Sequence, residues 1–163
     1  MDKGCCFIGT IEDRNFAVER EHFLAVLSAF LFRLTFLEGV KRYYFPYREA
    51  LYCSANRLLE PIVFGAAEVK RVLLYLEGES GKIPFPFYES HRFEEREEIS
   101  REKAISREAL YRAAIDRSEY CVFYLDPKAT APDEIAAWEY ARTLKKRTID
   151  LFGESDPRAL FTL

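Results

Sequence analysis

The chain has 163 residues, 49% of them apolar, which is typical of one globular domain that can bury its own core. Its 24 basic and 27 acidic residues give a net charge of −3, and neither sign forms a long run. Because general binding to nucleic acid needs a basic face that neutralises phosphates, this balance argues against that class of function.

The cysteines and the apolar stretches indicate the compartment. Three of the four cysteines lie in apolar, strand-like stretches: they are Cys5, Cys6, Cys53 and Cys121. No CxxC or histidine–cysteine spacing indicates zinc, so we expect no metal site and interpret the cysteines as buried thiols.

The chain enters a predicted strand with no leader of the secretory type. The apolar stretch at Phe23–Leu37 is short and carries Arg33, which does not suit a membrane span. We expect a soluble, cytoplasmic protein.

The first half of the chain predicts three strands that alternate with two helices. Gly4–Gly9 is a short apolar stretch between glycines, typical of a buried strand. Apolar residues spaced by three and four predict an amphipathic helix over Asn15–Leu37. A second strand, a helix interrupted or restarted near Pro61 and a third strand follow at Lys41–Pro46, Arg48–Ala67 and Val69–Leu76.

The second half begins with a segment of different composition, Glu77–Ile99, which combines glycines, prolines, aromatic residues and a charge cluster. Such segments are often lids or binding loops, and an excursion that packs its aromatic residues on the domain surface is the alternative. The remaining pattern predicts a helix, a strand, a helix and a strand at Ser100–Ile115, Tyr120–Leu125, Asp133–Lys146 and Arg147–Phe152. Gly153–Leu163 is expected to be loosely ordered or docked at an interface.

This alternation of strands and helices predicts an α/β fold. We expect one domain over residues 1–163, a three-layer sandwich with a mainly parallel sheet of about five strands, and an excursion at about residues 77–99. No internal repeat divides the chain.

The familiar catalytic and phosphate-binding motifs fail. Gly78–Lys82 (GESGK) follows a strand, but Leu76 stands where a phosphate loop needs glycine, and Ile83 stands where it needs Ser or Thr. No GxGxxG, GxSxG or HExxH occurs. His22 and His91 are interpreted as surface residues; a substrate contact through His91 and a Cys–His nucleophile pair stay open as alternatives.

Four carboxylates remain as candidate chemistry. Asp116, Asp126, Asp133 and Glu134 fall at predicted strand ends or helix starts, and sites in open parallel sheets assemble at such an edge. Each also has a structural interpretation: a turn residue, a cap, or first-turn acids that complement the helix dipole. The start of the last helix, which would otherwise attract anions, already carries negative charge.

Several motifs resemble one family. Cys5–Thr10 (CCFIGT), followed by Arg14, is similar to a first strand of the type CCFTGHR. Ala114–Glu119 is similar to MVDxSD, and Glu139–Ala141 and Lys145–Lys146 to a later Tyr-Ala helix with a basic end. These pieces resemble the SLOG superfamily, a Rossmann-like group that includes the Smf DNA-processing proteins and the LOG phosphoribohydrolases. Within that group they are most similar to small uncharacterised bacterial SLOG proteins. The order of elements covers nearly the whole chain, and motif-level likeness covers about a third.

The chain departs from that family at its glycine loops. Pro132–Glu134 stands where the family has Gly-Gly-Thr, whose backbone N–H groups cradle a nucleotide phosphate. Pro46–Glu49 replaces a second glycine-rich loop. The family's Arg-Asn falls on Leu110-Tyr111, with Arg107 one helical turn earlier. Of the loop glycines that allow close backbone approach, Gly9 alone is kept.

The resemblance and its departures imply a degenerate SLOG-like domain. We expect a non-catalytic module, without cofactor, that senses a small nucleotide-derived ligand or mediates assembly. The alternative is an enzyme of the nucleoside hydrolase or deoxyribosyltransferase type, with Glu134 as first and Asp133 as second candidate for nucleophile or general base. The lost loops favour a nucleoside over a nucleotide. The candidate ligand-binding residues are Gly9, Thr10, Arg14, Asp116 and Asp126.

Aromatic residues exceed what a minimal core requires, with 14 Phe and 10 Tyr. We expect a homodimer in which some of them are covered. The candidates lie in the excursion and on the first helix: Phe85, Phe87, Tyr88, Phe93, Phe30, Phe32 and Phe36.

Overall fold

The computed structural model of the protein describes residues 2–9, 13–47, 50–79, 93–100 and 107–152, and for residues 13–23, 50–54, 56 and 57 it describes the backbone alone. These ranges contain six strands and four helices. In chain order they are β1 (Lys3–Gly9), α1 (Asp13–Phe36), β2 (Val40–Pro46), α2 (Ala50–Gly65), β3 (Lys70–Leu76), β4 (Glu95–Ile99), α3 (Glu108–Asp116), β5 (Tyr120–Tyr124), α4 (Pro132–Thr143) and β6 (Arg147–Asp150).

The strands form one parallel sheet in the order β4-β3-β2-β1-β5-β6. The chain runs outwards from β1 to β4 and then crosses back to pair β5 with the other side of β1. Helices cover both faces of the sheet. The predicted α/β fold class, a Rossmann-like three-layer sandwich, is therefore confirmed.

Alternation along β1 separates the two layers of core. Cys5 and Phe7 point towards the layer of α1 and α2, whereas Cys6 and Ile8 point towards α3 and α4. Successive side chains of a strand face opposite sides of the sheet, so one apolar run supplies both cores. Phe7 stacks on Phe45 of β2 with 5.2 Å between ring centroids, which adds aromatic packing to the first core.

The observed helices follow the predicted ones with two differences. The helix α2 continues through Pro61, so the predicted interruption there is wrong. The described part of the third helix begins at Glu108, and the part of the prediction over residues 101–106 lies outside the described residues. Residues 80–92 of the excursion and the tail 153–163 also lie outside them.

The strand β4 is the element that the sequence did not predict. It ends the segment interpreted as an excursion, and its sequence EREEI carries four charges in five residues. β4 pairs with β3 alone at one edge of the sheet, where charged side chains are tolerated and discourage further strand pairing. A strand of this kind has no apolar alternation that would reveal it.

An ion-pair network around one buried arginine holds β4 to its neighbour at the amino edge of the sheet. Arg71 of β3 is 4% exposed; its Nη2 donates to Glu94 at 2.6 Å, and its Nη1 donates to Glu60 of α2. The Glu94 carboxylate also accepts the backbone N–H of Arg71 at 2.9 Å. Burial lowers the pKa of Arg71, but the hydrogen bonds to Glu94 and Glu60 outweigh burial and leave that pKa raised. The guanidinium therefore stays charged.

The described cysteines are buried as expected. Cys5, Cys6 and Cys121 are free thiols with no exposed surface, and the side chain of Cys53 lies outside the described residues. Burial, together with the neighbouring Cys6, raises the pKa of Cys5; a hydrogen bond with Cys6 and burial raise the pKa of Cys121. These two thiols stay protonated and are poor nucleophiles. No helix in the described ranges is both long and apolar enough to cross a bilayer.

Candidate functional site

The strand order fixes where a site should lie. The chain leaves β1 on one side, towards β2, and β5 pairs with β1 on the other side. In open parallel sheets, ligands bind outside the carboxyl ends of strands at such a switch point. A site of this kind, here called the crevice, is therefore expected beyond Gly9 at the end of β1 and Leu125–Asp126 after β5.

Gly9 has a structural explanation at this position. A Cβ atom there would lie 2.7 Å from the carbonyl oxygen and 2.8 Å from the nitrogen of Tyr124, which pairs with Gly9 in β5. No side chain fits so close to a neighbouring backbone, so the two strands require glycine whether or not a ligand binds. Thr10 lies outside the described residues; Arg14 lies in the first turns of α1, and its side chain is outside the description.

Asp126 closes the turn between β5 and α4. Its buried carboxylate accepts the N–H of Lys128 at 2.9 Å. Its carbonyl oxygen accepts the N–H of Thr130 at 2.8 Å and the Thr130 hydroxyl at 2.6 Å. This is the geometry of an aspartate that stabilises its own turn. Asp126 lies just after β5, beside the switch point, and its carboxylate holds the loop.

The start of α4 separates the two acids that the sequence placed side by side. Pro132 occupies the first turn, where its missing N–H costs nothing, and Ala131 precedes it without a side-chain cap. Asp133 is partly exposed, whereas Glu134 is 2% exposed. Glu134 is three residues before Ala137 and seven before Ala141, both in the core beneath α4, so it lies on the helix face that packs towards the sheet.

Two further carboxylates at this edge were not selected from the sequence. Glu79, three residues after β3, is buried; it accepts the N–H of Leu76 at 2.9 Å and a bond from Arg107, just before α3, at 3.4 Å. Asp150, the last residue of β6, accepts the N–H groups of Leu125 at 3.0 Å and Phe152 at 2.9 Å. For Glu79 the available signal was an acid shortly after a strongly apolar strand; Asp150 lies inside the predicted strand Arg147–Phe152 and gave no such signal.

Together these contacts give the edge its chemical character. Carboxylates of the protein accept the backbone N–H groups at the ends of β3, β5 and β6; the donors are Leu76, Leu125, Lys128 and Phe152. Backbone N–H groups at such an edge are the donors that cradle phosphate in nucleotide-binding folds. Here four of these N–H groups already donate to carboxylates of the protein. A phosphate at this edge would therefore find fewer free donors, and the carboxylates would repel its negative charge.

Asp116 does not join this site. It is the last residue of α3 and precedes β5, so it lies at the amino edge of the sheet, opposite the crevice. Its carboxylate accepts the hydroxyl of Tyr140 at 2.7 Å, and the guanidinium of Arg112 lies 5.0 Å from the Tyr140 ring centroid. This contact ties the ends of α3 and α4 together. It supports the interpretation of Asp116 as a structural residue.

The described residues offer no metal centre: among them, no three His, Cys, Asp or Glu side chains are grouped so that they could hold an ion. His91 lies outside the described residues, and so does the side chain of His22. Among the carboxylates at the described edge, Glu134 is the most deeply buried.

Comparison with known proteins adds no assignment. No family model matches the chain, and no curated protein matches it. What can be inferred of function therefore rests on the geometry of the carboxyl edge.

Proposed function

We propose that the chain is a degenerate SLOG-like domain that senses a small nucleotide-derived ligand lacking phosphate, or mediates assembly, and performs no catalysis. The observation that carries this proposal is the use of Glu79, Asp126 and Asp150 to bond the backbone N–H groups at the carboxyl edge. Those bonds occupy backbone donors at the edge where open parallel sheets bind ligands, and Pro132–Glu134 stands at the loop that the family resemblance assigns to phosphate.

The charge at the crevice supports the same conclusion. Asp133 and Glu134 lie in the first turn of α4, where the helix dipole favours negative charge, so this positive end already has anions beside it. A neutral nucleoside, whose base and sugar offer hydrogen-bond donors and acceptors, suits such an edge better than a nucleotide does. Carboxylates accept hydrogen bonds from sugar hydroxyls and exocyclic amines without any need for phosphate.

A thermal-shift panel of nucleosides, their 5′-phosphates and sugar phosphates, followed by an assay for released base, tests this function. A ligand at a hundred times its Kd adds about 2.7 kcal/mol of stability, which corresponds to a shift of roughly 5–10 °C in Tm for a chain of this size. We expect a nucleoside, and not its 5′-phosphate, to raise the Tm of the protein. We also expect that no free base is released. Stronger stabilisation by the phosphate would overturn the proposal.

The burial of Glu134 favours a second candidate, an enzyme that acts on an N-glycosidic bond. Its carboxylate would attack the anomeric carbon of a nucleoside as the bond to the base breaks, and the base would leave with the bonding electrons and take a proton from water. Water or a second base would then displace the carboxylate from the glycosyl ester. Release of free base that Glu134→Gln abolishes and Glu139→Gln retains would establish this activity and exclude the non-catalytic function. Glu139→Gln is the matched control, because it changes an exposed acid of the same helix that is not a catalytic candidate.

A further inference from the structure

The exposed side chains on the outward face of α1 are uncharged where the structure describes them, and Arg33, which is only partly exposed, lies beside them. Between Leu24 and Phe36, the described side chains of α1 that are exposed belong to Ala25, Ser28, Ala29, Phe32 and Phe36. At 100° per residue these positions fall within about a third of the helix circumference, so they form one continuous stripe. The solvent side of a surface helix is normally charged or polar. A stripe of this composition, here called the α1 stripe, is therefore typical of a helix that packs against a partner.

The α1 stripe has a flat half and a bulky half. Ala25, Ser28 and Ala29 have small side chains, while Phe32 and Phe36 are 57% and 51% exposed and contact each other with 4.8 Å between ring centroids. Two of the small residues, Ala25 and Ala29, are four positions apart, and so are the two phenylalanines. The stripe is therefore complementary to itself when two copies run in opposite directions.

We infer that a second copy of this chain packs antiparallel on the α1 stripe. In that register Phe36 of each copy covers Ala25 of the other, and Phe32 covers Ala29. Both pairs form together, because the spacing of four residues is the same in each half. A parallel arrangement would place ring on ring at one end and leave a gap between alanines at the other. The contact is isologous, so it closes at two copies.

The size of the α1 stripe sets the strength of the contact. From Ala25 to Phe36 it runs about 16 Å along the helix, a length that gives an interface at the low end of the specific range, below about 1,200 Å² in total. We therefore expect a dimer that dissociates in the micromolar range. The structure also revises the residues predicted for the interface: Phe30 is buried in the core and Phe93 packs on Phe45, while Phe85, Phe87 and Tyr88 lie outside the described residues.

Sedimentation velocity of the full chain between about 1 and 200 µM tests this inference independently of any ligand. We expect the wild type to shift from monomer to dimer, and Ala29→Glu and Phe32→Ala each to weaken association at least tenfold, or by about 1.4 kcal/mol. The matched control is Phe64→Ala: Phe64 lies on α2, outside the α1 stripe, and is 93% exposed. A monomeric wild type at the highest concentration, or a loss of association with Phe64→Ala equal to that with Ala29→Glu, would overturn it.

The direction of packing has its own test. A mixture of an Ala25→Cys chain and a Phe36→Cys chain of different mass, under mild oxidation, should yield mainly the mixed cross-linked species. The wild type under the same oxidation controls for its own cysteines. Cross-links mainly between two Ala25→Cys chains would show a parallel pair and contradict the antiparallel register.

Discussion

At the amino edge of the sheet, acidic side chains pair with arginine, whereas at the carboxyl edge they mainly accept hydrogen bonds from backbone N–H groups. Glu94 and Glu60 bond to Arg71 at the first edge; Asp126 and Asp150 bond to main-chain donors at the second. An ion pair fixes two strands to each other. A carboxylate on backbone N–H groups fixes a loop and also removes those donors from any anionic ligand. The same residue types therefore stabilise one edge and restrict binding at the other.

The largest effect is expected at the amino edge. Arg71→Met leaves Glu94 and Glu60 without their buried cation and should lower the free energy of unfolding by about 3–5 kcal/mol, measured by urea denaturation. The control is Arg42→Met, which removes the pair with Glu95 at a site where the arginine side chain is 28% exposed and should cost about 1 kcal/mol or less. Equal losses for the two variants would show that burial does not distinguish the pairs.

At the carboxyl edge, Gly9→Ala tests whether Gly9 serves the sheet. Its Cβ would press on the Tyr124 backbone, and overpacking of this kind costs roughly 1–3 kcal/mol. The control is Gly65→Ala: outside its own helix neighbours, no described atom lies within 4 Å of the place that the new Cβ would take. That change should be neutral or stabilise by up to about 1 kcal/mol. If Gly9→Ala keeps full stability in a thermal melt without ligand, the structural explanation of this glycine fails.

A smaller loss is expected when one of the carboxylates that hold the edge is removed. Asp150→Ala leaves the N–H groups of Leu125 and Phe152 without their acceptor, which should cost about 1–2 kcal/mol in urea denaturation. Asp133→Ala is the control, because a first-turn acid contributes about 0.3–1 kcal/mol through the helix dipole. A larger loss with Asp133→Ala than with Asp150→Ala would contradict the roles assigned to them.

The smallest loss of stability is expected when the hydrogen bond between Tyr140 and Asp116 is removed. The pKa of Tyr140 is raised, mainly by its hydrogen bond to Asp116 and to a smaller extent by burial and by the charge of Asp116. A raised pKa means that the folded state favours the neutral phenol, so this contribution is present below the ordinary tyrosine pKa of about 10 and is lost as the pH rises past it. Tyr140→Phe should therefore cost about 0.5–1 kcal/mol at pH 8 and less at pH 11. If the stability lost in Tyr140→Phe increased with pH, the structural role of the Tyr140–Asp116 hydrogen bond would be refuted.

The sequence predicted most of the fold because buried parallel strands are apolar on both faces, as in Val69–Leu76, and α1 has a regular apolar spacing. β4 was missed because an edge strand needs no apolar pattern. The site was less predictable. Neighbouring helix positions differ by 100° in direction, so only packing shows that Glu134 is buried and Asp133 is not. The partners of Glu79 and Asp150 are backbone groups brought close by the fold, and no residue spacing reveals them.

A calorimetric titration of the full chain with a nucleoside and with its 5′-diphosphate measures whether the carboxyl edge of the sheet can bind phosphate. The two ligands differ only in phosphate, so the difference in their affinities reports the donors and charge at that edge. We expect no measurable binding of the diphosphate at millimolar concentration, whatever the nucleoside does. Micromolar binding of the diphosphate, tighter than that of the nucleoside, would show that the edge still holds phosphate and would overturn the proposed function.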